Sequence, residues 1–231
     1  MNSKYTYKDI ITLPNHDLRL HSKKVAQLTP EVAQVIDDMM AATIDWEASR
    51  PHEVAVALAA VQIDQLQRIV IVREDFDDKN NQNFTVLINP KITKYEGHIE
   101  YDQEGCLSVK DVYGSVPRYT KVRVRAQAFG DGVISPDNPA TAHLDEELFD
   151  VKFKSANAFL ARVLQHEIDH TNGICFVDRI ARSKDAFSIL KSDGELEPIS
   201  YDKVKQMNIL PTDPDYIHEC LSLYSKNWQK C

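Results

Sequence analysis

Gln165-His166-Glu167-Ile168-Asp169-His170 sets two imidazoles four residues apart, with a carboxylate beside the first. On an α-helix, positions i and i+4 share a face, so both rings can reach one metal ion. Glu167 can then reach a water on that ion without itself becoming a ligand. The chemistry this pattern suits is metal-assisted hydrolysis by that water. Two histidines do not complete a site, because a catalytic ion takes a third protein ligand and keeps a position open. One class of metalloproteases continues the pattern to a third histidine. Here Gly173 is present, but Phe176 stands where that histidine would be. From residue types alone the third ligand stays open between a downstream carboxylate, such as Asp178 or Asp185, and a cysteine, such as Cys106 in Gln103-Glu104-Gly105-Cys106-Leu107-Ser108-Val109.

Several elements must position these groups. Ser155 can cap a helix with Phe159, Leu160, Val163, Leu164 and Ile168 on its apolar side, stopped near Gly173. Thr29-Pro30 opens an earlier helix in which Val32, Val35, Ile36, Met39 and Thr43 recur to about Trp46, with Met39-Met40 expected in the core. Val54 to Val61 is an apolar run, and Leu66–Arg73 and Phe84–Ile88 read as strands, the second ended by Asn89-Pro90. Lys121 to Phe129 alternates, with Val122, Val124, Ala126 and Ala128 inward and basic or polar residues outward. A polar loop is expected from Ser135 to Ala142 and a strand from Leu148 to Phe153. A last helix is expected after Thr212-Asp213-Pro214, with Ile217, Leu221, Tyr224 and Trp228 on one stripe. Strands and helices occupying separate places indicate an α+β fold.

The 231 residues are 43% hydrophobic and 27% charged, enough for a core and unlike a disordered chain. No run of eighteen apolar residues is present, so no membrane span is expected. With 27 basic against 35 acidic residues the net charge is -8, and no direct nucleic-acid site is evident, since one would need a basic face. The N-terminus lacks the apolar stretch of a secretory signal. Cys106, Cys175, Cys220 and Cys231 form no Cys-x-x-Cys pair, which fits a reducing, cytoplasmic setting. No function is assigned to the last three.

Three stretches follow one another in order: Ala55-Val56-Ala57-Leu58-Ala59-Ala60-Val61-Gln62, Glu104-Gly105-Cys106-Leu107-Ser108, and Gln165 to His170. In them the sequence resembles the peptide deformylases, whose motifs are a Gly-rich run ending Ala-Ala-x-Gln, then Glu-Gly-Cys-Leu-Ser, then Gln-His-Glu-x-x-Asp-His. The second and third are matched in full, and Leu13 to Arg19 and Val116-Pro117-Arg118 also look like the family. The resemblance covers about residues 8 to 182. It implies antiparallel β-sheets around a central helix that carries the His-Glu-x-x-His motif. It also implies a catalytic domain over residues 1–182, followed by an extension over 183–231 with a terminal amphipathic helix. Cys106, His166 and His170 would hold one divalent ion, Fe2+ foremost, with Zn2+, Ni2+ or Co2+ able to occupy the site. Glu167 would move the proton, while the side-chain amide of Gln62 and the backbone N–H of Leu107 would stabilise the oxyanion at about 3 kcal/mol each. Val56, Ala57, Glu104, Gly105, Phe159 and Val163 would meet the substrate. The implied reaction removes the formyl group from N-formylmethionine on nascent chains, a cytoplasmic step of protein biosynthesis. The tail would be a contact for the ribosome.

The sequence departs from the family at several positions. Ala55 and Ala57 replace glycines of the first motif, Val61 a proline, and Ile63-Asp64 a Val-Gly-like pair; Lys110 and Thr171 replace a proline and a leucine. If residues 55 and 57 need positive φ, their methyls cost strain; if not, they narrow the cleft. Two further readings follow: a divergent metalloamidase for another N-acyl substrate, and a catalytically silent binding homologue. The intact Glu167 weighs against the last.

Overall fold

The computed structural model describes residues 5–50 and 53–211. Helix α1 (Pro30–Ala48) starts where Thr29 accepts the N–H of Val32 and Pro30 needs no partner for a missing donor. It buries Ile36, Met39 and Met40 completely, as expected for a core stripe. Eight strands make one antiparallel sheet: β1 (Ala57–Ala59), β2 (Ile69–Arg73), β3 (Phe84–Cys106), β4 (Val109–Ala128), β5 (Val133–Ile134), β6 (Phe149–Lys154), β7 (Phe187–Leu190) and β8 (Leu196–Pro198). The order is β1-β2-β3-β4-β7-β8, with β5 added to β3 and β6 to β4. Helices α2 (Ala158–Thr171), α3 (Phe176–Arg179) and α4 (Tyr201–Gln206) follow in the last third. The architecture is α+β, and α2 touches β1, β2, β3 and β4.

The β3–β4 hairpin positions the site. Its strands pair from Ile88↔Gln127 down to Cys106↔Val109, so Leu107 and Ser108 alone form the turn and Cys106 sits at its lip. Asn89-Pro90 does not end the strand, contrary to the sequence expectation. Asn89 adopts φ 53, the register shifts between Ile88 and Lys91, and β3 continues beyond. A bulge is where proline does no harm, because no ladder N–H is required of it. The Asn89 amide holds the bulge by donating to Val25 O and Gln127 Oε1 and accepting from Val25 N–H.

On β4, Val122, Val124 and Ala126 face inward and pack against Ala161, Val163, Leu164 and Ile168 of α2. Every residue of α2 from Ala161 to Thr171 is buried, so it is a central helix and not a half-solvated one. Its cap is Asn157, whose Oδ1 accepts the Leu160 N–H at 2.8 Å. Ser155, the expected cap, instead accepts the N–H of Val122. Gly173 follows the helix with φ +74, as a C-terminal stop requires.

Residues beyond 186 continue the same body. β7 pairs with Val112–Gly114 of β4, and Phe187, Val204 and Ile209 share a buried cluster with Val109, Val116, Phe176 and Val177. The expected helix after Pro214 lies outside the described residues. No described helix is long and apolar enough to cross a membrane.

Candidate active site

The tight turn and the central helix bring three donors together. Cys106 Sγ lies 3.2 Å from His170 Nε2, although 64 residues separate them, and His170 Nε2 lies 3.2 Å from His166 Nε2. All three donor atoms fall within 4.8 Å of one another. A tetrahedral ion with Zn–N near 2.0–2.1 Å and Zn–S near 2.3 Å would hold such atoms about 3.3–3.7 Å apart. One thiolate and two imidazoles also form a donor set of the softness that iron, zinc, nickel and cobalt accept. The residues present therefore fit a divalent ion.

Glu104 orients the first imidazole. Its Oε2 meets His166 Nδ1 at 2.9 Å, leaving Nε2 turned to the other donors. Arg118 donates to both Glu104 oxygens, at 2.8 and 2.9 Å, and Arg162 donates to Oε1 at 2.8 Å. Four bonds engage the acceptor capacity of this carboxylate within the protein. Arg118 also bonds Asp169, which Arg179 holds from the other side. Burial alone would raise the Glu104 carboxyl, but Arg118 and His166 outweigh it and hold it well below the usual carboxylate range. Asp169 is likewise lowered against burial, by Arg179 and Arg118. Sequence reasoning placed Arg118 only in a family-like stretch. The same strand also carries Arg123 and Arg125, and no local pattern separates buried Arg118 from that exposed pair.

Glu167 has the opposite environment. It is buried, its Oε2 has no hydrogen-bond partner among the described residues, and burial, partly offset by His166, pushes its carboxyl up to about 7. A carboxyl poised there can both accept and return a proton near neutrality. Gln62 is 1% exposed, and its Oε1 accepts the Ala59 N–H at 2.9 Å. That bond turns the amide nitrogen toward Ser108 Oγ and Cys106 Sγ, 3.2 and 3.5 Å away.

A cleft of about 330 Å3 opens onto these groups. Val56, Ala57, Gly105, Leu107, Phe159 and Val163 line it, as do Gln62, Glu104, His166 and Glu167. Phe159 stands at the edge, 43% exposed, with the ring of Phe76 4.7 Å away. The far wall was not anticipated. Tyr113 packs so closely on Gly105 that a Cβ there would lie 2.6 Å from its ring, and its hydroxyl donates to Glu53. Arg50 joins Glu53 to Asp111 and lies over Trp46.

The substituted glycines of the first motif resolve differently from one another. Neither Ala55 nor Ala57 has positive φ. Ala55 is fully buried in the core beside α1, and only Ala57 adds its methyl to the cleft. The left-handed residue is Asp64, with φ 60.

The family profile for "Polypeptide deformylase" matches residues 7–133 and 141–186, well over half of the chain. A peptide deformylase of Brachyspira hyodysenteriae is 34% identical over 175 residues, covering 75% of this chain and 80% of the relative. One from Rhodopseudomonas palustris is 33% identical over 187 residues, covering 80% and 91%. Among solved structures, a peptide deformylase from Synechococcus elongatus in complex with actinonin superposes with TM-score 0.56 at 29% identity, covering 74% of this chain and 78% of that one. One from Legionella pneumophila gives TM-score 0.55 at 28% identity, covering 86% and 95%. With sequence, fold and donor geometry agreeing over the same residues, the chain belongs to the polypeptide deformylase family.

Proposed function

We infer that the protein hydrolyses the N-formyl group from formylmethionine at the start of newly made chains. The observation that carries this reading is the convergence of Cys106, His166 and His170 beside the unpartnered carboxylate of Glu167, at a cleft with Val56, Ala57, Phe159 and Val163 on its wall. Cys106, His166 and His170 would hold a divalent ion, Fe2+ by family resemblance with Zn2+, Ni2+ or Co2+ also suited to the donor set, which would supply an acidified water and a polarised formyl carbonyl. Glu167 takes the proton of the attacking water and returns it to the amine nitrogen as the C–N bond breaks, giving formate and a free N-terminus. The Gln62 amide and the Leu107 N–H donate to the oxygen on which charge develops. Because Gln62 is locked by Ala59, its donor needs no reorientation during reaction. Val56, Ala57, Phe159 and Val163 surround the methionine side chain, and Gly105 meets the substrate backbone, with the Tyr113 ring packed where its Cβ would be.

The decisive experiment measures formate release from a formyl-Met-Ala-Ser peptide, with metal content assayed and Glu167→Ala run alongside. Turnover should fall about 10^2–10^4-fold in the variant with metal per chain unchanged. A fully metallated wild type without turnover overturns the reading, as does faster turnover of acetyl or non-Met analogues. We place the reaction in the cytoplasm, with residues 183–231 as the contact to the ribosome. Co-sedimentation of the full chain and a chain ending at Pro211 with ribosomes tests that contact, and equal pelleting overturns it for residues 212–231.

A further inference from the structure

On the outer face of the sheet, opposite α2, three neighbouring strands align cations in rows. Lys91 of β3 pairs with Arg125 of β4, which pairs with Lys152 of β6; Lys94 pairs with Arg123, which pairs with Lys154. Lys121 adds a seventh, opposite Glu96. Directly paired residues share a face with strands about 4.8 Å apart, so each row sets three like charges side by side, an arrangement that destabilises a sheet. Glu96 reaches Lys94, Arg123 and Lys154 and offsets one row. The other row, Lys91–Arg125–Lys152, makes no ion pair among the described residues. Asp150, opposite Gln127, is the second carboxylate on this face. All seven cations are exposed, in a chain whose net charge is -8.

Protection of a sheet edge does not account for the pattern. Lysines on the edge strand β6 would serve that purpose, but Arg123 and Arg125 lie on β4, which is paired on both sides here. Nor do the rows suit a bilayer, since the six positions that form them carry only Lys and Arg and no apolar side chain that could enter one. At 0.1 M salt the Debye length is about 10 Å, so a polyanion against this face feels the local cations more than the distant acidic surface. The two rows themselves hold no aromatic side chain on which single-stranded bases could stack.

We propose that the outer face of β3, β4 and β6 binds the phosphate backbone of duplex RNA. Rows of cations on a sheet face, with no helix projecting from it, suit the wide, shallow minor groove of an A-form helix better than a major groove that admits a helix. The choice of RNA over DNA also rests on the proposed function, because the substrate is a chain made on RNA. The contact is independent of sequence and lies on the opposite side of β4 from α2, so it leaves the hydrolytic site untouched.

The test uses the full, metallated chain and a variant in which Lys91, Lys121, Arg125 and Lys152 are each changed to Gln. Anisotropy of a labelled 20-base-pair RNA duplex would be followed from 50 to 200 mM KCl, beside a DNA duplex of the same sequence and phosphatidylserine vesicles. Wild type should bind the RNA with affinity falling linearly in log-log form. The variant should bind at least tenfold more weakly at 100 mM KCl and lose about three to four from the slope, since each phosphate contact contributes about 0.9. Its formate release should stay within twofold, and its Tm should be equal or higher because repulsion is relieved. No RNA binding by wild type at 50 mM KCl overturns the proposal, as does an unchanged slope in the variant. Tighter binding to DNA or to vesicles overturns the assignment to RNA. Formate release in the same preparations reports separately on the deformylase reading.

Discussion

Among single residues, Arg118 joins Glu104 of β3 to Asp169 of the donor helix itself. It is 1% exposed and bonds Glu104 on one side and Asp169 on the other. Arg118→Met removes the cation and leaves both carboxylates buried, which should cost about 3–5 kcal/mol and appear as a lower Tm. The pH dependence has a definite sign. Glu104 and Asp169 titrate below their unfolded values, so their stabilisation is complete above about pH 4.5 and is lost as pH falls through the lowered values. Wild type should therefore lose Tm steeply below pH 4.5, while the Arg118→Met protein starts lower and falls more gently over the same range. A milder change separates positioning from stability. Glu104→Gln keeps the shape but weakens the bond to His166 Nδ1, and metal affinity should drop about 10–100-fold in competition with a chelator.

At the scale of elements, the site depends on where backbones turn. Gly173 ends α2 with φ +74, and a Cβ there would lie 2.5 Å from Arg19 O. Gly173→Ala should cost more than about 1 kcal/mol, read as a lower Tm, and should disturb His170 three residues earlier. Asp64 is the converse case. It holds φ 60 after Gln62, where a family glycine would be free of strain, so Asp64→Gly should raise Tm by the equivalent of about 1 kcal/mol. An unchanged or lower Tm would show that the Asp64 side chain supports the loop.

For the molecule as a whole, the segment after 186 completes a shared core. Phe187, Val204 and Ile209 are buried against Val109 and Val116, on the strand that begins two residues after the Leu107 turn position. A chain ending at Ala186 should lose on the order of 5 kcal/mol, from three large apolar side chains at about 1.5–3 kcal/mol each. Urea unfolding would show it as a lower midpoint, and equal midpoints would make the segment an independent appendage.

Local chemistry is readable along the chain. His166, Glu167 and His170 were legible because helix periodicity is short-ranged and ligand ability belongs to the residue type. The alternation of Val122, Val124 and Ala126 likewise identified an inward face without any partner strand. The continuation of β3 through Pro90 was hidden, because the Asn89 bulge is held by Val25 and Gln127, both distant in the chain. Only tertiary structure brought Cys106 to His170, engaged all of the Glu104 lone pairs, and sent Ala55 to the core but Ala57 to the cleft. The basic face was hidden for the same reason. A net charge of -8 sums over the chain, whereas rows of cations exist only once cross-strand register decides which lysine stands beside which arginine.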